Sequence, residues 1–160
     1  MTTRFLVIGD PHAVQGELDD CQALVDFSCK IALEERVDRV VVLGDLHHHH
    51  SIVHVDVMTF WLKALNSLRA ATSQLPVVIV GNHDRSTDKT ARHHALAIYE
   101  NHALVVDRTV VLDDGVAVVP YLHDPGMLVE MVEEVRSVRP KGPLVLMCHQ
   151  TFDGSSYENG

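Results

Sequence analysis

The sequence predicts an α/β fold in which two β-sheets pack face to face as a sandwich flanked by helices, a four-layer arrangement. Apolar runs of strand length alternate with amphipathic stretches of helical length in the first half of the chain, so the order there is β-α-β-α-β. Those apolar runs are continuous, which is typical of strands covered on both faces. Several short apolar segments follow in the second half and predict a second sheet.

The first half provides the predicted central strands. Residues 4–9, 38–44 and 76–80 are continuous apolar runs and are predicted as buried strands. Residues 17–36 and 55–71 are predicted as helices, because their apolar residues recur at spacings of three and four.

The second half is predicted to begin with a helix and then a meander. Ser86 or Thr87 can cap a helix that runs to about Glu100. Asp113-Asp114-Gly115 is a hairpin signal between short strands. The predicted segments here are strands at 103–107, 109–112 and 116–119, a helix at about 125–138 and a last strand at 144–148. We expect residues 1–160 to form one domain.

Composition excludes several classes of protein. No apolar run approaches the roughly 20 residues of a membrane span, and the first residues lack a signal-peptide pattern. The net charge of −9 argues against a nucleic-acid binder that relies on a basic surface. Cys21, Cys29 and Cys148 lack zinc or redox spacing. We therefore expect reduced cysteines and a cytoplasmic protein without a membrane partner.

Four predicted strands end in polar residues of the metal-ligand type. The sequences after these strands are Asp10-Pro11-His12, Asp45-Leu46-His47-His48, Asn82-His83-Asp84 and His149-Gln150. In open α/β sheets, ligands bind at the carboxyl ends of the strands. The expected metal ligands are Asp10, His12, Asp45, Asn82 and His149.

Carboxylate, amide and imidazole donors suit two divalent ions, most simply Mn²⁺, with Fe²⁺, Zn²⁺ and Mg²⁺ as alternatives. Two such ions beside Asp10 and Asp45 leave a local charge of about +2, which suits a phosphate group. Asp45 could bridge the ions, His83 could protonate the leaving oxygen, and Asp84 could orient His83.

The other polar residues near these motifs allow more than one interpretation. Arg85 could bind a phosphate through two hydrogen bonds or could pair with Asp88. We expect four histidines to be loop residues near the mouth of the site, namely His47, His49, His50 and His54. Three others are expected on helix surfaces or helix ends, namely His93, His94 and His102.

These motifs resemble those of the calcineurin-like metallophosphoesterase superfamily. The matching sequences are Asp10-x-His12, Gly44-Asp45-x-His47-His48, Gly81-Asn82-His83-Asp84 and His149. The resemblance implies a first metal at Asp10 and His12, a bridging Asp45, and a second metal at Asn82 and His149. It also implies that His83 is the general acid or stabilises the transition state.

Two details are similar to repair nucleases of the SbcD type and, more weakly, to phage-encoded members. His48 matches the histidine that contacts the substrate phosphate in those nucleases, and the pair His149-Gln150 also occurs there. The family's last motif, Gly-His-x-His, does not occur between His149 and Gly160. We therefore expect either a fragment truncated at the C-terminus or a centre in which each metal has one ligand fewer.

Three functions follow from these observations. The first is a two-metal phosphodiesterase, a nuclease of the DNA repair or recombination kind, in which a basic partner subunit would compensate for the acidic charge. The chain could assemble with such a partner subunit or as a homo-oligomer. The second is a phosphatase or phosphodiesterase for small phosphoesters or nucleotides, which the net charge of −9 favours. The third is a non-catalytic scaffold with the same fold; Asn82 and His83 argue against it.

Overall fold

The computed structural model describes residues 3–50, 52–87, 93–112, 115–124, 126–138 and 144–152. The strands in these ranges are β1 Phe5–Ile8, β2 Arg39–Val42, β3 Val77–Ile79, β4 Leu104–Val106, β5 Val110–Leu112, β6 Val116–Val119 and β7 Val145–Cys148. The helices are α1 Asp19–Glu34, α2 Val55–Thr72 and α3 Gly126–Val138, and a 3-10 helix covers Ala95–Tyr99.

The first sheet has the order β1-β2-β3-β4, and its strands are parallel. Leu6 lies opposite Val40, and Val41 lies opposite Val77. The carboxyl ends of parallel strands meet at one edge of a sheet. This register therefore brings the loops after β1, β2 and β3 side by side.

Both faces of the central strands β2 and β3 are covered, which explains their continuous apolar runs. The edge strand β1 is less buried than predicted, since Val7 is 45% exposed. Val40, Val42 and Val78 belong to the core that α1 and α2 cover. The alternate residues Val41 and Val77 belong to a second core between the two sheets. The α2 helix also holds the loop after β2, since the Trp61 indole donates a hydrogen bond of 3.0 Å to the carbonyl of Leu46.

The second sheet has the order β5-β6-β7, in which β5 and β6 are antiparallel and β6 and β7 are parallel. Val110 and Leu112 pack toward the first sheet. The outer side of β5 faces α3 across a groove that Val111, Met131 and Val135 help to line. Two sheets flanked by helices are therefore present, as the sequence predicts.

The predicted meander is only partly correct. Strand β4 joins the first sheet as the parallel neighbour of β3, instead of pairing with β5. Among the described strands, the antiparallel pairing of the meander remains between β5 and β6. The turn residues Asp113 and Asp114 lie outside the described residues.

The predicted helix from Ser86 to about Glu100 is wrong over the residues that are described. The Ser86 amide donates to the carbonyl of His93 at 3.1 Å, and Arg85 forms an antiparallel bridge with His94. These backbone contacts compete with helical ones, and the helical structure begins only at Ala95 as a 3-10 helix.

The cysteines and the helix lengths were both the subject of expectations from composition. The cysteines are free, with Cys21 buried and Cys29 and Cys148 half-buried. Among the described helices, none is both long enough and apolar enough to cross a bilayer.

Candidate metal centre

A cavity of about 450 Å³ lies at the carboxyl edge of the first sheet, where the two sheets meet. The loops after β1, β2 and β3 contribute to its wall, and β7 contributes residues from the second sheet. The lining includes the five predicted metal ligands Asp10, His12, Asp45, Asn82 and His149. It also includes His83, Tyr121 and Gln150.

The carboxylate of Asp45 lies at the middle of this set. Its Oδ2 is 3.5 Å from His12 Nε2 and 3.4 Å from His149 Nε2. Its Oδ1 accepts a hydrogen bond of 2.9 Å from the backbone amide of His83. One oxygen is therefore held by the backbone, while the other faces two imidazoles that follow different strands.

The ring of His149 is oriented by the backbone. Its Nδ1 lies 3.0 Å from the carbonyl of Leu43. A carbonyl can only accept, so this contact requires the proton on Nδ1 and leaves the lone pair on Nε2 in the neutral ring. Nε2 lies 2.8 Å from Asn82 Oδ1 and 3.4 Å from Asp45 Oδ2.

Three electron-donating atoms thus converge at His149, Asn82 and Asp45. A cation is the group that satisfies such a convergence, and a backbone carbonyl behind the ring is a usual support for a metal-binding histidine. Asp10 Oδ1 lies 3.3 Å from Nδ1 of the same His149 ring, and Asp10 also lines the cavity. The residues present therefore fit divalent metal ions.

The backbone at the centre requires two glycines. Gly44 has a φ of 117°, and the neighbouring Asp45 has a φ of 51°. A Cβ on Gly81 would come within 2.6 Å of the Asp45 amide nitrogen and would overlap the Asp45 carboxylate. The loops after β2 and β3 can touch only because Gly81 has no side chain.

Behind Asp45 lies a buried group that we call the underside, formed by His47, Asp84 and Tyr99. The Asp84 carboxylate is the acceptor for the amides of Asp45 at 2.8 Å, Gly81 at 3.1 Å and His47 at 3.4 Å. His47 is 2% exposed, and its Nε2 lies 2.9 Å from the Tyr99 hydroxyl. The underside ties the loop after β2 to the loop after β3.

These contacts change two interpretations. His47 was expected at the mouth of the site, but it is buried beneath it, because Asp84 and Tyr99 provide polar partners there. Asp84 was expected to orient His83, but its carboxylate lies against the loop amides. His83 Nδ1 instead lies 2.5 Å from the carbonyl of His48.

In front of Asp45 lies a second group, the open face, formed by His12, His48 and His83. One ligand atom from each of these histidines lies within 4.8 Å of those of the other two. The ring of His50 stacks on His83 with the centroids 4.1 Å apart. The open face therefore consists of imidazoles at the entrance of the cavity.

Burial shifts the pKa values of two central groups in opposite directions. It raises the pKa of Asp45, although His149 and the His83 amide oppose the shift. It lowers the pKa of His12, although Asp45 opposes that shift. The neutral form that a metal ligand requires is therefore favoured for His12 near pH 7.

Arg85 lies outside the central cavity. It lines a separate cavity of about 250 Å³ together with His93 and His94. Burial lowers its pKa, and Asp107 provides the main opposing charge. The alternative partner Asp88 is outside the described residues.

Tyr121 is a cavity residue that sequence reasoning missed. Its amide donates to the carbonyl of Val80 at 2.8 Å, and its ring centroid lies 6.2 Å from that of His149. Gln150 is held beside it by a hydrogen bond of 3.0 Å to the carbonyl of Leu122. The available signal was a tyrosine two residues beyond the end of β6.

The chain belongs to the calcineurin-like phosphoesterase family, whose model matches residues 3–160. This membership supports a hydrolase that acts on phosphoesters with the help of divalent metal ions. No curated protein matches the chain.

Proposed function

We propose that the protein hydrolyses phosphodiester bonds at a centre for two divalent ions, most simply Mn²⁺. In this proposal Asp10 and His12 would hold the first ion, Asn82 and His149 would hold the second, and Asp45 would be a ligand of both. When bound, the ions supply positive charge for the phosphoryl oxygens and lower the pKa of water. Side chains of the protein orient the substrate and transfer the proton.

The observation that carries the proposal is the position of Asp45 Oδ2. It lies at nearly equal distances, 3.5 Å and 3.4 Å, from imidazole nitrogens on two different loops. The raised pKa of the Asp45 carboxyl shows that burial opposes its charge more than its neighbours support it. Two cations beside the carboxylate would stabilise its charged form.

His83 is suited to donate a proton to the leaving oxygen. Its amide is fixed on Asp45 Oδ1, and its Nδ1 contacts the carbonyl of His48, so the ring has a defined position at the cavity wall. Because that carbonyl only accepts, Nδ1 keeps its proton, and Nε2 is the atom that exchanges a proton with substrate. Asp84 acts indirectly, as a positioning residue for the loop amides.

Two substrate classes have support. The position of His48 beside His83 favours a phosphodiester of the nucleic-acid kind, because a second imidazole at the entrance could contact a flanking phosphate. The net charge of −9 favours small phosphoesters or nucleotides, since binding of DNA usually depends on several basic contacts. A basic partner subunit would favour DNA again.

The test supplies the full chain with Mn²⁺ and offers labelled single- and double-stranded DNA, bis-p-nitrophenyl phosphate and p-nitrophenyl phosphate in parallel. The variant His83→Ala should lose about 10²- to 10⁴-fold of the rate, which is the usual contribution of a general acid. His102→Ala is the matched control, because His102 contacts Asn66 on the protein surface. It should retain the rate.

The pattern of substrates then separates the candidates. Cleavage of DNA that depends on His83 supports the nuclease, whereas hydrolysis confined to the nitrophenyl esters supports a small-molecule enzyme. If no ester is hydrolysed while Mn²⁺ binds, the catalytic proposal fails and the scaffold remains.

A further inference from the structure

The open face has a composition different from that of the centre behind it. His12, His48 and His83 come from the loops after β1, β2 and β3, and they bring one ligand atom each within 4.8 Å of the others. Their ring centroids are 4.7 Å apart for His12 and His83 and 5.6 Å apart for His12 and His48. The three ligand atoms are all imidazole nitrogens.

We propose that these three imidazoles form a separate cation site, which takes an imidazole-preferring ion such as Zn²⁺ or Cu²⁺. Of its three ligands, only His12 is also a proposed metal ligand of the centre around Asp45. Its occupant would differ from the ions of that centre in kind as well as in position.

Ligand chemistry separates the two sites. Carboxylate and amide oxygens suit Mn²⁺ and Mg²⁺, whereas imidazole suits Zn²⁺, Cu²⁺ and Ni²⁺. The affinity of nitrogen sites rises from Mn²⁺ toward Cu²⁺ along the first-row series. A site made of three imidazoles should therefore discriminate strongly against Mn²⁺, the ion that we propose for the hydrolytic centre.

The geometry needs only a small adjustment. Zinc binds imidazole nitrogen at about 2.0–2.1 Å, so nitrogens on a tetrahedral ion lie about 3.4 Å apart. The largest separation, at most 4.8 Å, must therefore contract by up to about 1.4 Å. His48 is exposed, so rotation of its side chain can provide this movement.

Occupancy would have a consequence for catalysis, and this part of the inference rests on the proposed function. A neutral imidazole has one lone pair in the ring plane, so His12 cannot serve both sites at once. The same ion would bind His83, which could then no longer donate a proton. The open face would thus act as an inhibitory site for zinc-like ions in a manganese-dependent enzyme.

The binding test uses Cu²⁺ and the nitrogen splitting in its electron paramagnetic resonance spectrum. It is made on the full chain without a histidine tag, in the Asp45→Asn background, where the shared ligand of the hydrolytic centre has been changed. Asparagine keeps the oxygen that accepts from the His83 amide. We expect a pattern of three imidazole nitrogens.

The decisive variants change two histidines that lie two positions apart in the sequence, His48 and His50. His48→Ala should remove one nitrogen from the pattern and weaken Cu²⁺ binding at least about tenfold, on the scale seen when groups that support a metal are lost. His50→Ala should leave the pattern intact, because His50 stacks on His83 from outside the cluster. The proposed site would be wrong if the copper spectrum of His48→Ala still showed three nitrogens, or if only His50→Ala lost a nitrogen.

Inhibition is measured separately. Zn²⁺ should reduce Mn²⁺-supported hydrolysis, and the inhibition constant relative to each variant's own rate should rise at least about tenfold in His48→Ala. An unchanged constant would overturn the inhibitory role. A protein that hydrolyses nothing would refute the proposed function, while the copper spectra would still decide whether the three histidines bind a cation.

Discussion

The underside and the open face both contain histidines and lie on opposite sides of Asp45, but their histidines have different surroundings. In the underside, Asp84 is 1% exposed and accepts from three backbone amides, and His47 is 2% exposed beside Tyr99. On the open face, His48 is exposed, and His12 and His83 are half-buried at a cavity. The comparison teaches that burial and partners, rather than residue type, separate the histidine that holds the loops from the histidines that are available for chemistry.

The two regions should therefore respond differently to mutation. A change in the underside should reduce the free energy of unfolding, because it leaves buried polar groups without partners. A change on the open face should leave folding nearly intact and should alter binding or rate. The following predictions test this difference, beginning with the largest effect.

The substitution Asp84→Ala should be the most destabilising. It leaves the amides of Asp45, Gly81 and His47 without their acceptor, and each unpaired buried group costs about 1–3 kcal/mol. We expect a total loss of about 3–5 kcal/mol in the free energy of unfolding, measured by urea denaturation of the metal-free protein. Asp26→Asn, on the exposed side of α1, is the control and should change stability by less than about 0.5 kcal/mol.

The substitution Gly81→Ala tests the close contact between the loops. The added Cβ would overlap the Asp45 carboxylate, and relief of such overpacking costs about 1–3 kcal/mol. Because Asp45 must move, affinity for metal should fall as well, measured by calorimetric titration with Mn²⁺. In Gly9→Ala, where a Cβ meets nothing within 4 Å, both quantities should stay unchanged. If Gly81→Ala and Gly9→Ala changed stability and Mn²⁺ affinity equally, the close contact between Gly81 and Asp45 would be contradicted.

The substitution Tyr99→Phe removes only the hydroxyl that lies 2.9 Å from His47 Nε2. We expect a loss of about 1 kcal/mol in the free energy of unfolding and an unchanged turnover number for any ester that is hydrolysed. A fall in turnover without a fall in stability would show that the underside takes part in the chemistry.

The smallest effect is a dependence of stability on pH through His94. Burial lowers the pKa of His94, whose side chain is 8% exposed, and the half-exposed Asp107 at 4.0 Å opposes this only partly. The unfolded chain then binds more protons below about pH 6.5, so the free energy of unfolding falls as the pH drops through that value. Urea titrations at pH 7.5, 6.5 and 5.5 in EDTA should show that the free energy of unfolding falls less steeply with decreasing pH in His94→Gln than in the wild type. An equal or steeper fall would contradict the lowered pKa.

The sequence predicted the sheets and the placement of the polar motifs because both depend on local patterns. Continuous runs such as residues 76–80 indicate a strand covered on both faces, and Gly81-Asn82-His83-Asp84 directly follows that strand. Parallel pairing then places such motifs at one edge. The central cavity accordingly brings together the five predicted ligands.

What the sequence did not predict depends on contacts between distant segments. Nothing near His47 indicates that Tyr99, far along the chain, will partner it. The helix predicted after Ser86 gave way to a backbone bridge with His93 and His94, and β4 found a parallel partner in β3. Local propensity cannot reveal such competing partners.

The most direct test of the central claim counts the metal ions that depend on Asp45. Mn²⁺ is titrated into the metal-free wild-type protein and into Asp45→Asn, with calorimetry to count ions and urea denaturation to confirm folding. If Asp45 bridges two ions, the wild type binds two and the variant loses both high-affinity sites while its stability is unchanged or higher, because a buried carboxylate with a raised pKa has been removed. Two ions bound with equal affinity in the folded variant would contradict the bridging role and, with it, the two-metal centre.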